Sequence, residues 1–301
     1  MFFPDKNVIL REVGPRDGFQ AEASFIPAQL KTEVIESLAD AGFSHIQAVS
    51  FVHPGKVPQM ADAQEVCGLL KKRASVSYSG LALNVRGVER AVEAGLGVVE
   101  VSASASNTHS LKNAGMTQEQ AREALEKMAV RAKALGLTVW ASIQCAFGCA
   151  YEGAVPPERV KETARAVLDQ GVDFLGLADT TGMAVPTQVQ SLVSELLPLA
   201  GKTPLFLHLH DTRGLGLVNL LAALECGVTR FDTALGGMGG CPFVPGAAGN
   251  IATEDTLHLL ESLGIRTGIN KTQVARASRR LEAFLGHAFS GKLYRMIQME
   301  Q

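Results

Sequence analysis

Short apolar runs alternate with amphipathic or alanine-rich stretches along most of the 301-residue chain. The segment 27–42 begins with Pro27, ends at Gly42 and places its apolar side chains on one helical face, as do 116–135 and 156–171. Eight apolar runs read as strands: 8–13, 45–51, 76–83, 98–103, 138–145, 174–178, 205–210 and 231–235. Strands that alternate with helices predict a parallel sheet, and eight such units predict an α/β fold closed as a (β/α)8 TIM barrel.

The main alternative is an open, doubly wound sheet. That fold usually has a glycine-rich turn after its first strand, whereas this chain has Gly14-Pro-Arg-Asp-Gly18 there. No linker or low-complexity tract divides the sequence. We therefore expect one domain over residues 1–301, with the barrel at about 7–265 and a C-terminal helical extension and tail at about 266–301.

The composition excludes several classes of protein. The formal net charge is −2, with 28 basic and 30 acidic residues, which argues against a nucleic-acid partner because phosphate contacts need clustered Lys and Arg. No apolar run reaches the roughly 18 residues of a membrane span, so no membrane partner is expected. Five cysteines without dense spacing in a chain of this length do not make a disulfide scaffold, and residues 1–7 do not resemble a signal peptide. We expect a cytoplasmic protein.

In such a barrel the chemistry belongs at the carboxyl ends of the strands and in the loops that follow them. Polar or otherwise unusual residues occur there after six of the predicted strands. The candidate site residues are Arg16, Asp17, Gln20, Gln47, Ser50, Lys112, Asp179, His208, His210, Arg213, Gly240, Cys241 and Asn250.

His208-Leu-His210 is the most informative local pattern. Residues two apart on a strand point to the same face, so both imidazoles would enter the barrel together. Histidine is the commonest transition-metal ligand, although hydrogen bonds to neighbouring carboxylates would also explain the pair. Asp17 and Asn250 would add two oxygens, and such a set suits a six-coordinate ion such as Mg²⁺ or Mn²⁺.

Three other residues each allow a chemical and a structural interpretation. Cys241 lies in a glycine-rich loop and could act as an acid or nucleophile, or be an ordinary buried thiol. Arg16 could stabilise a developing oxyanion or simply pair with Asp17. Lys112 could bind a phosphate or be solvated.

Several motifs in one order resemble those of the 3-hydroxy-3-methylglutaryl-CoA lyase family, a group of metal-dependent barrel lyases related to acyl-CoA condensing enzymes. The resemblance extends from about residue 7 to residue 265. The matching motifs are EVGPRDGFQ at 12–20, SF at 50–51, VPQM at 57–60, SAS at 102–104, KN at 112–113, GCAYEG at 148–153, ADTTG at 178–182, HLHDT at 208–212, GGCPF at 239–243 and GNIATED at 249–255.

The resemblance implies a divalent cation, Mg²⁺ or Mn²⁺, held by Asp17, His208, His210 and Asn250. Arg16 would stabilise the enolate of the thioester, Cys241 would transfer a proton, and Asp179 would belong to the polar catalytic cluster. The implied reaction is cleavage of 3-hydroxy-3-methylglutaryl-CoA to acetyl-CoA and acetoacetate, in a homodimer. We expect contacts to the acyl-CoA substrate from Gln20, Ser50, Lys112, Arg213 and Gly240.

The chain departs from the family pattern at two positions. Gln47 stands where the family typically has a glutamate, and a glutamine cannot take up or carry a proton at neutral pH. Arg213 stands where a tyrosine is usual, and it suits either an additional carboxylate or phosphate or a salt bridge at the rim. These departures allow an alternative, a related lyase or aldolase for another 3-hydroxyacyl-CoA or hydroxy acid. A third interpretation is a catalytically idle barrel that serves as a binding or assembly subunit. For a weakened lyase, Gln47→Glu is expected to raise turnover.

Overall fold

A closed barrel of eight parallel strands forms the centre of the protein in the computed structural model, which describes residues 7–240 and 248–298. Neighbouring strands pair in chain order, and the first strand pairs with the last. The strands are β1 (Ile9–Glu12), β2 (His45–Ser50), β3 (Ser77–Ala82), β4 (Val98–Ser104), β5 (Thr138–Gln144), β6 (Phe174–Ala178), β7 (Leu205–His208) and β8 (Arg230–Thr233). Each overlaps a predicted apolar run, so the predicted barrel is confirmed.

Helices connect the strands and cover the outside of the barrel. They are α1 (Ala28–Asp40), α2 (Ala63–Leu69), α3 (Val85–Glu93), α4 (Asn107–Ala114), α5 (Gln118–Ala134), α6 (Pro157–Leu168), α7 (Pro186–Ala200), α8 (Gly216–Glu225), α9 (Thr253–Ser262) and α10 (Lys271–Leu285). The helix predicted at 27–42 is α1, which starts directly after Pro27 and buries Val34 and Leu38. Within residues 7–240 and 248–298, no helix combines the length and apolar character that a membrane span requires.

Aromatic rings fill the barrel interior near the amino ends of the strands. Trp140 stacks on Phe174 with ring centroids 4.1 Å apart and contacts Phe206 at 4.8 Å. Gly176 leaves room for this layer, since a Cβ there would lie 2.2 Å from Phe206. The guanidinium carbon of Arg11 lies 4.4 Å from the centroid of the Trp140 ring. The interior is therefore closed at this end, and polar side chains above the rings face the carboxyl ends of the strands.

The C-terminal extension contacts the barrel in two places, beside α1 and at the loop that follows β8. Helix α10 begins beside α1, where the amide of Asn270 donates to the carbonyl of Ala41 at 2.7 Å. After α10 the chain returns to the loop that follows β8: the amide of Gly291 donates to the carbonyl of Gly236, and the hydroxyl of Ser290 donates to that of Gly237, both at 2.7 Å. The extension thus supports a loop at the carboxyl end of the barrel.

Candidate metal centre and catalytic cavity

Three potential metal ligands meet at the carboxyl end of the barrel. Asp17, His208 and His210 each offer one ligand atom, and these atoms all lie within 4.8 Å of one another. The Nε2 atoms of the two histidines are 3.0 Å apart, and Oδ2 of Asp17 is 3.8 Å from Nε2 of His208. The two imidazoles therefore enter the barrel together, as their spacing in the sequence predicted.

The backbone around His210 differs from the prediction. Strand β7 ends at His208, two residues before the end of the predicted run, and His210 instead forms an isolated antiparallel bridge with Asn250. The amide of Ile251 donates to the carbonyl of Leu209 at 3.1 Å, because the chain that returns after β8 takes over the backbone hydrogen bonds here. This pairing brings Asn250 directly beside His210.

Asp17 lies in a π-helical turn, Gly14–Gly18, directly after β1. Its amide donates to the carbonyl of Val13 at 2.7 Å, which turns the side chain toward β7. Gly239 approaches the cluster from the other side with φ +116°, and a Cβ there would lie 2.6 Å from Nδ2 of Asn250. A glycine is required at this position both for its backbone conformation and for its close approach.

The pKa shifts of Asp17 and His210 suit metal binding, whereas that of His208 has the opposite direction: burial lowers the pKa of His208, but Asp232 and Asp17 raise it above its ordinary value. Burial alone raises the pKa of Asp17, but the Arg16 guanidinium beside it holds that pKa well below its usual range. Burial and the neighbouring His208 lower the pKa of His210 to about 3, so that this imidazole is neutral. Ionised carboxylate and neutral imidazole are the forms that bind metal ions. Nδ1 of His208 lies 3.1 Å from Oδ2 of Asp232, which directs Nε2 of the same ring toward His210.

Two buried polar atoms of the cluster have no hydrogen-bond partner among the described residues. One is Oδ1 of Asn250, whose Nδ2 donates to Asp17 at 2.7 Å and to the carbonyl of Met238 at 3.1 Å. The other is Nδ1 of His210. Leaving a buried acceptor unpaired costs free energy, and a bound cation beside Asn250 would remove that cost. Two nitrogens and two oxygens fit a divalent ion such as Mg²⁺ or Mn²⁺.

Arg16 lies next to the metal cluster and is held from two sides. Its Nε donates to Oε1 of Gln47 at 2.5 Å, and its Nη1 donates to Asp17. The amide nitrogen of Gln47 in turn donates to Glu100 on β4. Gln47, one of the two positions that depart from the family pattern, therefore connects the buried carboxylate of Glu100 to Arg16.

Sequence reasoning missed three inward-facing charged residues. Arg11 pairs with Glu100 at 2.7 Å and with Asp232 at 2.6 and 2.8 Å, and Asp232 contacts His208. Each of the three follows an apolar residue within a buried strand. Charged side chains are rarely buried unless they are paired, so their presence in central strands was the available signal.

A cavity of about 1130 Å³ opens above this cluster. Arg16, both histidines and Glu100 line it, together with the predicted substrate contacts Gln20, Lys112 and Gly240. The volume is slightly larger than the usual range for small-molecule sites, about 300–1,000 Å³, as a bulky ligand requires. The geometry combines a candidate cation site, a guanidinium held by two acceptors and a large cleft.

Residues 7–281 match the HMGL-like family model. The chain belongs to the HMGL-like family. It is 38% identical over 281 residues to hydroxymethylglutaryl-CoA lyase YngG of Bacillus subtilis, covering 93% of this chain and 94% of that one. It is 40% identical over 289 residues to (R)-citramalyl-CoA lyase of Chloroflexus aurantiacus, covering 93% and 91%. It is also similar to the structure of an HMG-CoA lyase from Acinetobacter baumannii in complex with coenzyme A and 3-methylmalate, with a TM-score of 0.93, 39% identity and full coverage of both chains.

Not every residue predicted from the HMGL-like motifs contacts the cavity. The carboxylate of Asp179 is fully buried and accepts hydrogen bonds from the amides of Met183 at 2.8 Å and Ala184 at 3.1 and 3.2 Å, and burial raises its pKa to about 6. Nη1 of Arg213 donates to two carbonyl oxygens of the β6 loop, at 2.7 and 2.8 Å. Both side chains thus support the loop after β6, and neither is among the residues that line the cavity.

Two further predicted site residues are Ser50 and Cys241. The hydroxyl of Ser50 is buried and lies 3.4 Å from the carbonyl oxygen of Leu81, the acceptor of its hydrogen bond. Cys241 lies outside the described residues, directly after Gly240. The roles of Ser50, Asp179, Arg213 and Cys241 in this HMGL-like chain stay predictions.

Proposed function

We propose that the protein is a divalent-metal-dependent carbon–carbon lyase that cleaves 3-hydroxy-3-methylglutaryl-CoA to acetyl-CoA and acetoacetate. In this reaction the bond between C2 and C3 of the acyl group breaks, and its electron pair passes to the thioester side. The C3 hydroxyl loses its proton and becomes the ketone of acetoacetate, while C2 gains a proton. The observation that carries the proposal is the cation-binding set of Asp17, His208, His210 and Asn250 beside Arg16.

A cation held by these four residues would orient the substrate hydroxyl and carboxylate and make the hydroxyl more acidic. Arg16 lines the cavity with a permanent positive charge, which suits the negative charge that develops on the thioester oxygen. Gln47 holds the direction of this guanidinium through the contact at Nε. We assign the protonation of C2 to the thiol of Cys241, because this residue directly follows Gly240 in the sequence and Gly240 lines the cavity.

The remaining predicted residues are assigned to binding and support. Lys112 lines the cavity and its ammonium lies 4.2 Å from the centroid of the Tyr151 ring, a position suited to an anionic group of the CoA. Gln20 and Gly240 would contact the substrate from the cavity wall. We assign Ser50, Asp179 and Arg213 to positions behind the wall, where they would hold the loops that carry the direct contacts.

A second candidate is cleavage of a different 3-hydroxyacyl-CoA. Two observations favour it: Gln47 stands on β2 in place of a carboxylate, and a lyase for (R)-citramalyl-CoA is 40% identical to this chain.

We further propose a cytoplasmic homodimer. The free state of Cys67, Cys145, Cys149 and Cys226 agrees with a reducing compartment.

Release of acetyl-CoA from 3-hydroxy-3-methylglutaryl-CoA tests the proposal, measured with Mg²⁺, with Mn²⁺ and with EDTA. We expect release that EDTA abolishes and that Asp17→Asn lowers by at least about a hundredfold, because the substitution removes an anionic ligand. Asp40→Asn is the matched control, since Asp40 is 60% exposed on α1 and pairs with Arg73. Release from (R)-citramalyl-CoA alone would favour the second candidate, and release unaffected by EDTA would contradict both.

A further inference from the structure

A continuous series of polar contacts runs through the barrel interior from β1 to the metal cluster. Arg11 pairs with Glu100, Glu100 accepts from Gln47, Gln47 accepts from Arg16, and Arg16 donates to Asp17. Gln47 is fully buried and Glu100 is 4% exposed. Both side chains therefore depend on protein partners for their hydrogen bonds.

The chemistry of Glu100 determines which way the Gln47 amide faces. An ionised carboxylate only accepts hydrogen bonds, whereas a glutamine amide has a donating and an accepting end. Nη1 of Arg11 lies 2.7 Å from Oε2 of Glu100, and the two side chains form an ion pair. The NH₂ of Gln47 must then face Glu100, which leaves its carbonyl oxygen facing Nε of Arg16. A reversed amide would place a donor against the donating nitrogen of Arg16.

Neutralising Arg11 does not account for Glu100. Asp232 already gives Arg11 two charged hydrogen bonds, at 2.6 and 2.8 Å. Oε2 of Glu100 is also the acceptor for Gln47, and Glu100 lines the same cavity as Arg16. The second carboxylate is thus placed where it acts on the amide.

We propose that Glu100 is a positioning residue for Arg16: acting through the oriented amide of Gln47, it fixes the direction in which the guanidinium faces the cavity. The proposal rests on the proposed function in so far as Arg16 stabilises the thioester enolate. It also changes the expectation for Gln47→Glu. That substitution places a second carboxylate against Glu100, and the repulsion between the two disfavours their contact while both are ionised.

A set of four variants tests this arrangement by steady-state kinetics. Glu100→Met removes the acceptor of the Gln47 amide. Gln47→Glu places two carboxylates against each other. The double variant Gln47→Glu/Glu100→Gln again has one carboxylate and one amide, but the carboxylate is now on β2 and the amide on β4. We expect kcat to fall about tenfold to a hundredfold in each single variant, with KM changed by less than about threefold. The double variant should recover to within about threefold of the wild type.

Glu89→Gln is the matched control, because Glu89 also pairs with an arginine, Arg131, but on the outer helices. If Glu100 only stabilised the fold, Glu100→Met would be less stable than the wild type with an unchanged kcat. The double variant would then not recover the lost stability. Wild-type kcat in Glu100→Met, or a double variant as slow as the slower single one, would overturn the proposal.

A second measurement needs no turnover. The Nε–H of Arg16 gives an NMR signal that can be assigned by its loss in Arg16→Lys, and its hydrogen exchange reports the bond to Gln47. We expect exchange at least about tenfold faster in Glu100→Met, and slow again in the double variant. Unchanged exchange in Glu100→Met would overturn the positioning role even in an active lyase. A wild-type protein that leaves 3-hydroxy-3-methylglutaryl-CoA intact while exchange follows the expected pattern would overturn only the proposed substrate.

Discussion

Arg16 is held by two acceptors at different nitrogens, and this determines which substitution disables it. A lysine carries one compact ammonium group, which cannot meet Gln47 and Asp17 with the geometry of a guanidinium. We expect Arg16→Lys to lower kcat by about 10²–10³-fold while KM changes by less than about threefold, as for the loss of an oxyanion contact. Steady-state kinetics check this, and the control is Arg86→Lys, because the side chain of Arg86 is exposed on α3. A loss confined to KM would instead make Arg16 a ground-state binding residue.

The two histidines of the candidate metal cluster could be predicted to lie together from their spacing. His208 and His210 are two residues apart in an apolar run, and strand geometry alone puts such a pair on one face. Their partner Asp232 could not be assigned in this way, because it lies 24 residues further along the chain. A contact of this kind depends on which strands become neighbours and on their register. The same limit hid Glu100, which is 53 residues from Gln47.

The strands were easier to predict than the ends of the strands. Central strands of a parallel barrel are buried on both faces, so they read as continuous apolar runs that the sequence displays directly. The end of β7 could not be predicted, because the competing partner of residues 209–211 is the returning segment around Asn250. Helix ends were clearer where the sequence supplies a cap. Helix α5, for example, begins with a capping box between Thr117 and Gln120.

Phe289 of the C-terminal extension packs against the loop after β8. This ring is 6% exposed and packs against Gly236, where a Cβ would lie 2.5 Å from the ring. We expect Phe289→Ala to lower the free energy of unfolding by about 3 kcal/mol, as for other buried Phe→Ala substitutions. Phe284→Ala, at a side chain that is 48% exposed on α10, should cost less than about 1 kcal/mol. Urea denaturation measures both, and equal losses would mean that the Phe289 contact contributes nothing specific.

At the scale of the whole molecule, closure of the barrel assembles the site. Strands β1 and β8 pair from Ile9 with Arg230 to Glu12 with Thr233, which joins the beginning of the chain to its last strand. Asp17 follows β1 and Asn250 follows β8, so the hydrogen bond between them at 2.7 Å spans 233 residues and lies above this junction. The candidate cation-binding set therefore comes together only when the first and last strands are paired.

Because its ligands lie on both sides of this junction, a bound cation should stabilise the whole fold. Binding to the native state alone adds about 2.7 kcal/mol at a hundred times the Kd, or roughly 5 °C in Tm for a chain of this size. We expect Mn²⁺ to raise Tm by about this amount in differential scanning calorimetry, and EDTA to reverse the rise. Asp40→Asn should respond like the wild type, whereas Asp17→Asn should lose the response because it lacks the anionic ligand. An equal rise in Asp17→Asn would place the stabilising ion elsewhere on the molecule, and the junction between β1 and β8 would then close without a metal.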